Sequence, residues 1–123
     1  MRLPGLVGLL VFTVPGADAH HATVTNFTRE IISVDGIIEQ IRYQNPHSSI
    51  LIKHTSADGE ERYWLIETGA KTTLQRKGVS LDRLVVGEWI KASGLKGRRR
   101  YTMFLHEIVF EDGSLFTAEG VTK

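Results

Sequence analysis

The sequence predicts a mainly β protein, a small five-stranded Greek-key barrel with one short helix between its third and fourth strands. Three observations predict it. From residue 31 onward the chain breaks into short runs rich in Ile, Val, Tyr and Trp, punctuated by Asp-Gly and other turn signals. Only residues 69–77 combine good helix formers with basic residues in a closing turn. No internal repeat or low-complexity linker divides the chain, and its 123 residues suit one domain with a core of its own.

Each element has a local reason. Residues 31–43 hold Ile31, Ile32, Val34, Ile37, Ile38, Ile41 and Tyr43, with Asp35-Gly36 in their midst, and so predict a long first strand that is bent or bulged. Residues 48–54 and 60–67 flank Ser56-Ala57-Asp58-Gly59, a short connection with Asp-Gly that reads as an antiparallel hairpin. In 69–77, Arg76 and Lys77 suit the negative end of a helix dipole, and Gly78 can supply a left-handed C-cap. Residues 89–95 and 101–110 are the fourth and fifth strands, joined through the basic turn 96–100. Five strands with a helix between the third and fourth is the element order of the OB-fold. Both alternating faces of the fifth strand look apolar: Tyr101, Met103, Leu105 and Val109 on one, Phe104, Ile108 and Phe110 on the other. The helix, an N-terminal arm or a second subunit is expected to cover the outer one.

Residues 1–19 read differently. Arg2, an apolar run from Leu6 to Val14, a Pro15-Gly16 break and Ala17-Asp18-Ala19 follow the plan of a cleavable secretory signal peptide. The run is about half of the ~20 residues a membrane-spanning helix needs. Export followed by release is therefore expected, without stable membrane insertion. Residues 20–30 would form an N-terminal arm and 31–123 the barrel domain. Lys and Arg number 15 against 14 Asp and Glu, a net charge of +1, which gives no long-range attraction for a polyanion. Cysteine is absent, which excludes disulfides, thiolate metal sites and a cysteine nucleophile. No nucleophile elbow, phosphate loop or HExxH pattern is present.

Cleavage after Ala19 would leave His20 with a free α-amino group. An N-terminal histidine offers that amine and its ring Nδ1 as a chelate, and one further imidazole completes a three-nitrogen set suited to tetragonal copper. An α-amine gives up its proton near neutrality, so a metal can compete for it. His21 or His47 is the candidate third donor. The competing reading is a mobile polar tail. Asn45-Pro46-His47 sits between the first two strands, where proline ends a ladder and fixes the direction in which His47 leaves; equally, it is an ordinary strand-ending turn. Glu67 closes the third strand as either a helix-dipole partner or a site carboxylate, and Trp64 is a candidate ligand contact. His54 and His106 read as satisfied core or edge histidines. Arg98, Arg99 and Arg100 beside Tyr101 have the basic-aromatic character of an OB-fold nucleic-acid surface. Export and near-neutral charge favour instead a charged turn that discourages edge pairing.

On these residues the chain resembles a family of small exported bacterial proteins known as a domain of unknown function. The resemblance rests on His20-His21, Asn45-Pro46-His47, Trp64 with Glu67, Leu74 with Gly78, Leu84 with Gly87-Glu88, and Asp112-Gly113. It implies export and an OB-like barrel; His20, His21, Asn45, His47 and Glu67 are its residues of chemical type. Tyr43, where the family usually has Trp, and the compressed 97–100 turn are departures. Three functions follow as expectations. The first is a periplasmic protein binding copper through His20, His21 and His47. The second is a metal-free module whose barrel face holds a small molecule or a partner protein, with Trp64, Trp89 and Tyr101 as contacts and Asn45 and Glu67 as further ligand-binding candidates; the alternative partner is a second copy, in a homo-oligomer. The third is a copper oxidoreductase. Nucleic acid is not expected as a partner.

Overall fold

A computed structural model of the chain describes residues 25–118. The expected signal peptide and the His20-His21 pair lie outside them. Strand β1 runs Phe27–Arg42, β2 Ser48–Thr55 and β3 Glu61–Thr68; helix α1 spans Lys71–Arg76; β4 runs Trp89–Gly97, β5 Thr102–Phe110 and β6 Leu115–Thr117. The short sixth strand was not anticipated. β1 also begins inside the stretch expected to be an arm, because Phe27 is buried and packs its ring 5.4 Å from that of Phe104.

β1 pairs antiparallel with β2 over its second half and with β4 over its first, so one long strand serves two neighbours. β2 pairs with β3 and β4 with β5, both antiparallel. The ring closes where β3 meets β5 in parallel, Leu65 beside Thr102, Ile66 beside Met103 and Glu67 beside Phe104. This order, with α1 between β3 and β4, is the OB-fold, and its seam is short. Inside lie Ile38, Ile50, Ile52, Ile66, Ile90, Met103, Leu105 and Ile108, each at most 1% exposed. Burying an aliphatic side chain of this size is worth about 1.5–3 kcal/mol, so these residues dominate the stability of so small a domain.

Two bulges rewrite the expected alternation. In β1 the register slips at Glu39, between Ile38 opposite Ile52 and Gln40 opposite Leu51. Gly36 is not the break: it stays in the ladder opposite Ile90, and any Cβ there would run into the Lys53 carbonyl. In β5 the slip falls at His106, between Leu105 opposite Gly94 and Glu107 opposite Ser93. Met103, Leu105, Ile108 and Phe110 therefore all face inward, whereas strict alternation had split them between two apolar faces. Tyr101, expected inside the strand, precedes it in a left-handed conformation with φ of 57°.

Helix α1 is held by one buried residue, Leu74, 1% exposed. It ends as expected: Gly78 has φ of 74°, and the Gly78 and Val79 N–H groups donate to the carbonyls of Gln75 and Leu74. No helix among the described residues is long and apolar enough to cross a membrane.

Candidate functional site

The bulge at Glu39 turns Gln40 and Arg42 outward. Pairing then sets Gln40, Leu51 and Leu65 side by side across β1, β2 and β3, and Arg42, Ser49 and Glu67 on the next outward rung. With His47 from the β1–β2 turn and Ser48 at the start of β2, these residues line a cleft of about 270 Å³ on the outer face of the barrel. Leu51 and Leu65 make an apolar floor and the polar groups converge on one end. At that end the Arg99 guanidinium reaches across from the β4–β5 turn to within 4.0 Å of the Glu67 carboxylate. Arg99 is largely in solvent, so this pair contributes little to stability but sets the charge of the rim.

The turn that carries His47 is strapped to the start of α1. Lys71 N–H donates to the Gln44 carbonyl at 3.0 Å and Ser48 N–H to the Gly69 carbonyl at 3.1 Å. Asn45 Oδ1 accepts from both the N–H and the hydroxyl of Thr72, at 3.1 and 3.2 Å. Ala70, at the N-cap position of α1, makes no side-chain cap, so Asn45 caps the helix from a distant part of the chain. The fully buried Ser48 hydroxyl exchanges hydrogen bonds with the Gln44 backbone. The Asn45-Pro46 peptide is cis. His47 itself is exposed at the cleft rim.

The predicted site residues therefore separate into groups. His47 and Glu67 share the cleft. Asn45 borders it with its side-chain oxygen committed to α1. Trp64 belongs elsewhere: three residues before Glu67, it lies on the opposite, inward row of β3, partly buried against the core. Its ring meets Tyr101 edge-on at 5.5 Å. Tyr101 in turn accepts a 3.1 Å hydrogen bond from Arg62 Nε and lies under the guanidinium groups of Arg62 and Arg100. That hydrogen bond from Arg62, aided by the charge of Arg100, lowers the Tyr101 hydroxyl pKa below the ordinary phenol value. Arg42 is a functional candidate that the sequence did not single out, and Arg99 had been read as part of a charged turn.

The other histidines are placed differently. His54 Nδ1 lies 2.7 Å from the Asp35 carbonyl and 3.6 Å from its carboxylate, whose other oxygen accepts from Trp89 Nε1. It is a satisfied strand-end histidine. His106 occupies the β5 bulge. Among the described residues no group of three His, Asp or Glu side chains is placed to hold a metal ion. His47 and Glu67 offer two donors to one cleft, so a complete metal set there needs a donor from outside the described residues. A second cleft, of about 550 Å³, lies beside Arg83, Phe110 and Glu88. Arg83 is spent there on Phe110, the Leu115 carbonyl and the Ser114 hydroxyl.

Fold and site together define an OB-fold protein with an open, charged cleft on its outer face. A model of a family of unknown function, DUF6152, matches residues 9–103, and the chain belongs to that family. Among solved structures it is similar to the mitochondrial single-stranded DNA binding protein Rim1 of S. cerevisiae, at 12% identity and a TM-score of 0.49, over 75% of this chain and 96% of that one. It is likewise similar to the dimeric N-terminal domain of PriB protein from Thermoanaerobacter tencongensis, at 14% identity and a TM-score of 0.45, over 72% and 98%. The fold assignment stands on the strand order and the parallel seam. No curated protein matches the chain.

Proposed function

We propose that this is an exported binding protein that works in the periplasm and takes Cu(II) at the rim of the outer cleft. The α-amine and imidazole of a processed His20 form the chelate, His47 is the barrel's own donor, and His21 is the alternative third nitrogen. The observation that carries this reading is the strapped turn: bonds at the start of α1 hold the turn that carries the exposed His47, which lines one cleft with Glu67 on the face where OB-folds take their ligands. Two donors already share that cleft, and an N-terminal chelate supplies what the described residues lack.

A second reading is favoured by Arg42 and Arg99. Guanidinium groups flanking an apolar floor suit a metal-free module that binds a small, carboxylate-bearing molecule. Nucleic acid is not the proposed partner, because a net charge of +1 gives no long-range attraction for a polyanion and an exported protein is kept apart from nucleic acid.

Copper titration with calorimetry and electron paramagnetic resonance separates the two readings. Protein starting at His20 should bind one Cu(II) per chain with a nitrogen-rich tetragonal spectrum. Affinity should fall as pH drops, since protons compete for the same lone pairs. A Met placed before His20, His20→Ala and His47→Ala should each weaken binding, and His54→Ala should not. Equal copper affinity with the extra Met would overturn the copper reading and leave the metal-free module.

A further inference from the structure

One rung of the outer cleft carries opposite charges on either side of a small residue. Arg42 pairs with Ser49 across β1 and β2, and Ser49 with Glu67 across β2 and β3, so a guanidinium and a carboxylate arise from the two strands that flank Ser49. With strands about 4.8 Å apart, both side chains can reach the space above it. The Arg42 guanidinium makes no hydrogen bond or ion pair among the described residues. Among the same residues Glu67 has the 4.0 Å contact with the largely exposed Arg99 alone, which leaves most acceptor sites of its carboxylate open. One step along the strands, Leu51 and Leu65 stand directly opposite each other, both half-buried. Tyr63, 55% exposed, continues the same outward row of β3.

We infer that this cleft takes a free, apolar α-amino acid as its zwitterion; this rests on the metal-free reading of the cleft and names its ligand. A carboxylate alone would meet the guanidinium of Arg42 but also the like charge of Glu67, and like charges brought together weaken binding. A molecule with a carboxylate and an ammonium on one carbon meets each charge with its opposite. Its carboxylate accepts from Arg42, its ammonium donates to Glu67, and Ser49 lies beneath the carbon that joins them. Both contacts are charge-assisted hydrogen bonds, the stronger kind. The side chain on that carbon then reaches one two-residue step along the strands, about 6.6 Å, onto Leu51 and Leu65, where it removes apolar surface from water. Size agrees with this: the cleft of about 270 Å³ falls just below the about 300–1,000 Å³ of sites for drug-sized molecules, as suits a single amino acid. A peptide matches the rung less well, because its ammonium and carboxylate stand at opposite ends of the molecule.

Calorimetric titration of the purified protein, with a chelator present to keep metal ions out, tests the ligand part by part. L-Leucine should bind one per chain. Isocaproate, the same skeleton without the ammonium, and leucinamide, which lacks the carboxylate, should each bind about tenfold more weakly, the lower end for losing one hydrogen bond between charged groups. In Glu67→Gln the preference for leucine over isocaproate should disappear, whereas Arg42→Gln should weaken both ligands alike. Arg42 and Glu67 lie on the outer face, so both variants should keep the parent circular dichroism spectrum. Isocaproate binding as tightly as leucine to the unsubstituted protein would overturn the zwitterion and leave a carboxylate-binding module. Binding of neither would bring down the metal-free reading together with the proposal. Leucinamide binding as tightly as leucine, or a preference for leucine that survives Glu67→Gln, would overturn the proposal as well.

Discussion

Leu74→Ala is the sharpest test of how the fold positions the cleft. The substitution removes Cγ, Cδ1 and Cδ2 from a side chain that is 1% exposed and is the one buried residue of α1. Lost transfer free energy at ~0.8 kcal/mol per carbon gives about 2.4 kcal/mol. The cavity left behind adds to this, so a total of about 3–4 kcal/mol is expected, within the range of about 2–5 for such changes. For a domain of this size that corresponds to a fall in Tm of roughly 12–30 °C. Equilibrium urea unfolding gives the free energy, with Thr73→Ala on the exposed side of the helix as control. A second readout follows the strap: when α1 loosens, the Ser48 amide, which donates to the Gly69 carbonyl, should exchange with solvent faster. A stability loss under about 1 kcal/mol with unchanged Ser48 exchange would refute the idea that Leu74 pins the helix and, through it, the His47 turn.

Two further outcomes are expected. Asn45→Ala removes the oxygen that caps α1 from across the chain and should cost about 1 kcal/mol by urea unfolding, the usual worth of a lost N-cap. It should weaken ligand binding by His47 as well, whereas a purely local turn residue would leave binding unchanged. Asp112 has its pKa lowered by hydrogen bonds from Ser114, side chain first and backbone next. A carboxyl held below its unfolded value contributes stability above about pH 4 and loses it as pH falls through the folded value. Stability measured against pH should therefore drop less steeply on the acid side in Asp112→Asn than in the parent protein.

Much of the fold was legible because its signals are local. The Asp58-Gly59 hairpin, the Gly78 helix end and the strand-helix-strand order announce themselves through turn chemistry and propensity. The bulges at Glu39 and His106 do not, since a bulge is defined by the partner strand: Gly94 leaves no room for a Cβ against the Phe104 backbone, and that contact exists only after pairing. β6 is too short and too near the end of the apolar pattern to stand out. For the site, His47 and Glu67 were each visible as chemical residues, but their meeting depends on the β2–β3 register that sets Ser49 beside Glu67. The separation of Trp64 from Glu67 was available in advance, because residues three apart in a strand point to opposite faces. Arg42 was overlooked for a related reason: its outward aim follows from the slip at Glu39. Arg99 had been read only as a turn charge, and its proximity to Glu67 is a product of barrel closure.

That closure has a mechanical meaning. Of the junctions around the ring, the β3–β5 seam is the briefest, and it is the parallel one, the weaker kind of ladder. The hoop is therefore of uneven strength, and thermal breathing should concentrate at the Leu65 amide, which reaches the Tyr101 carbonyl across that gap. Glu67 stands on one lip of the gap and Arg99 springs from the turn leading to the other. A ligand bridging them more tightly than this exposed ion pair does would clasp the hoop at its weakest joint, coupling occupancy of the cleft to the tightness of the barrel.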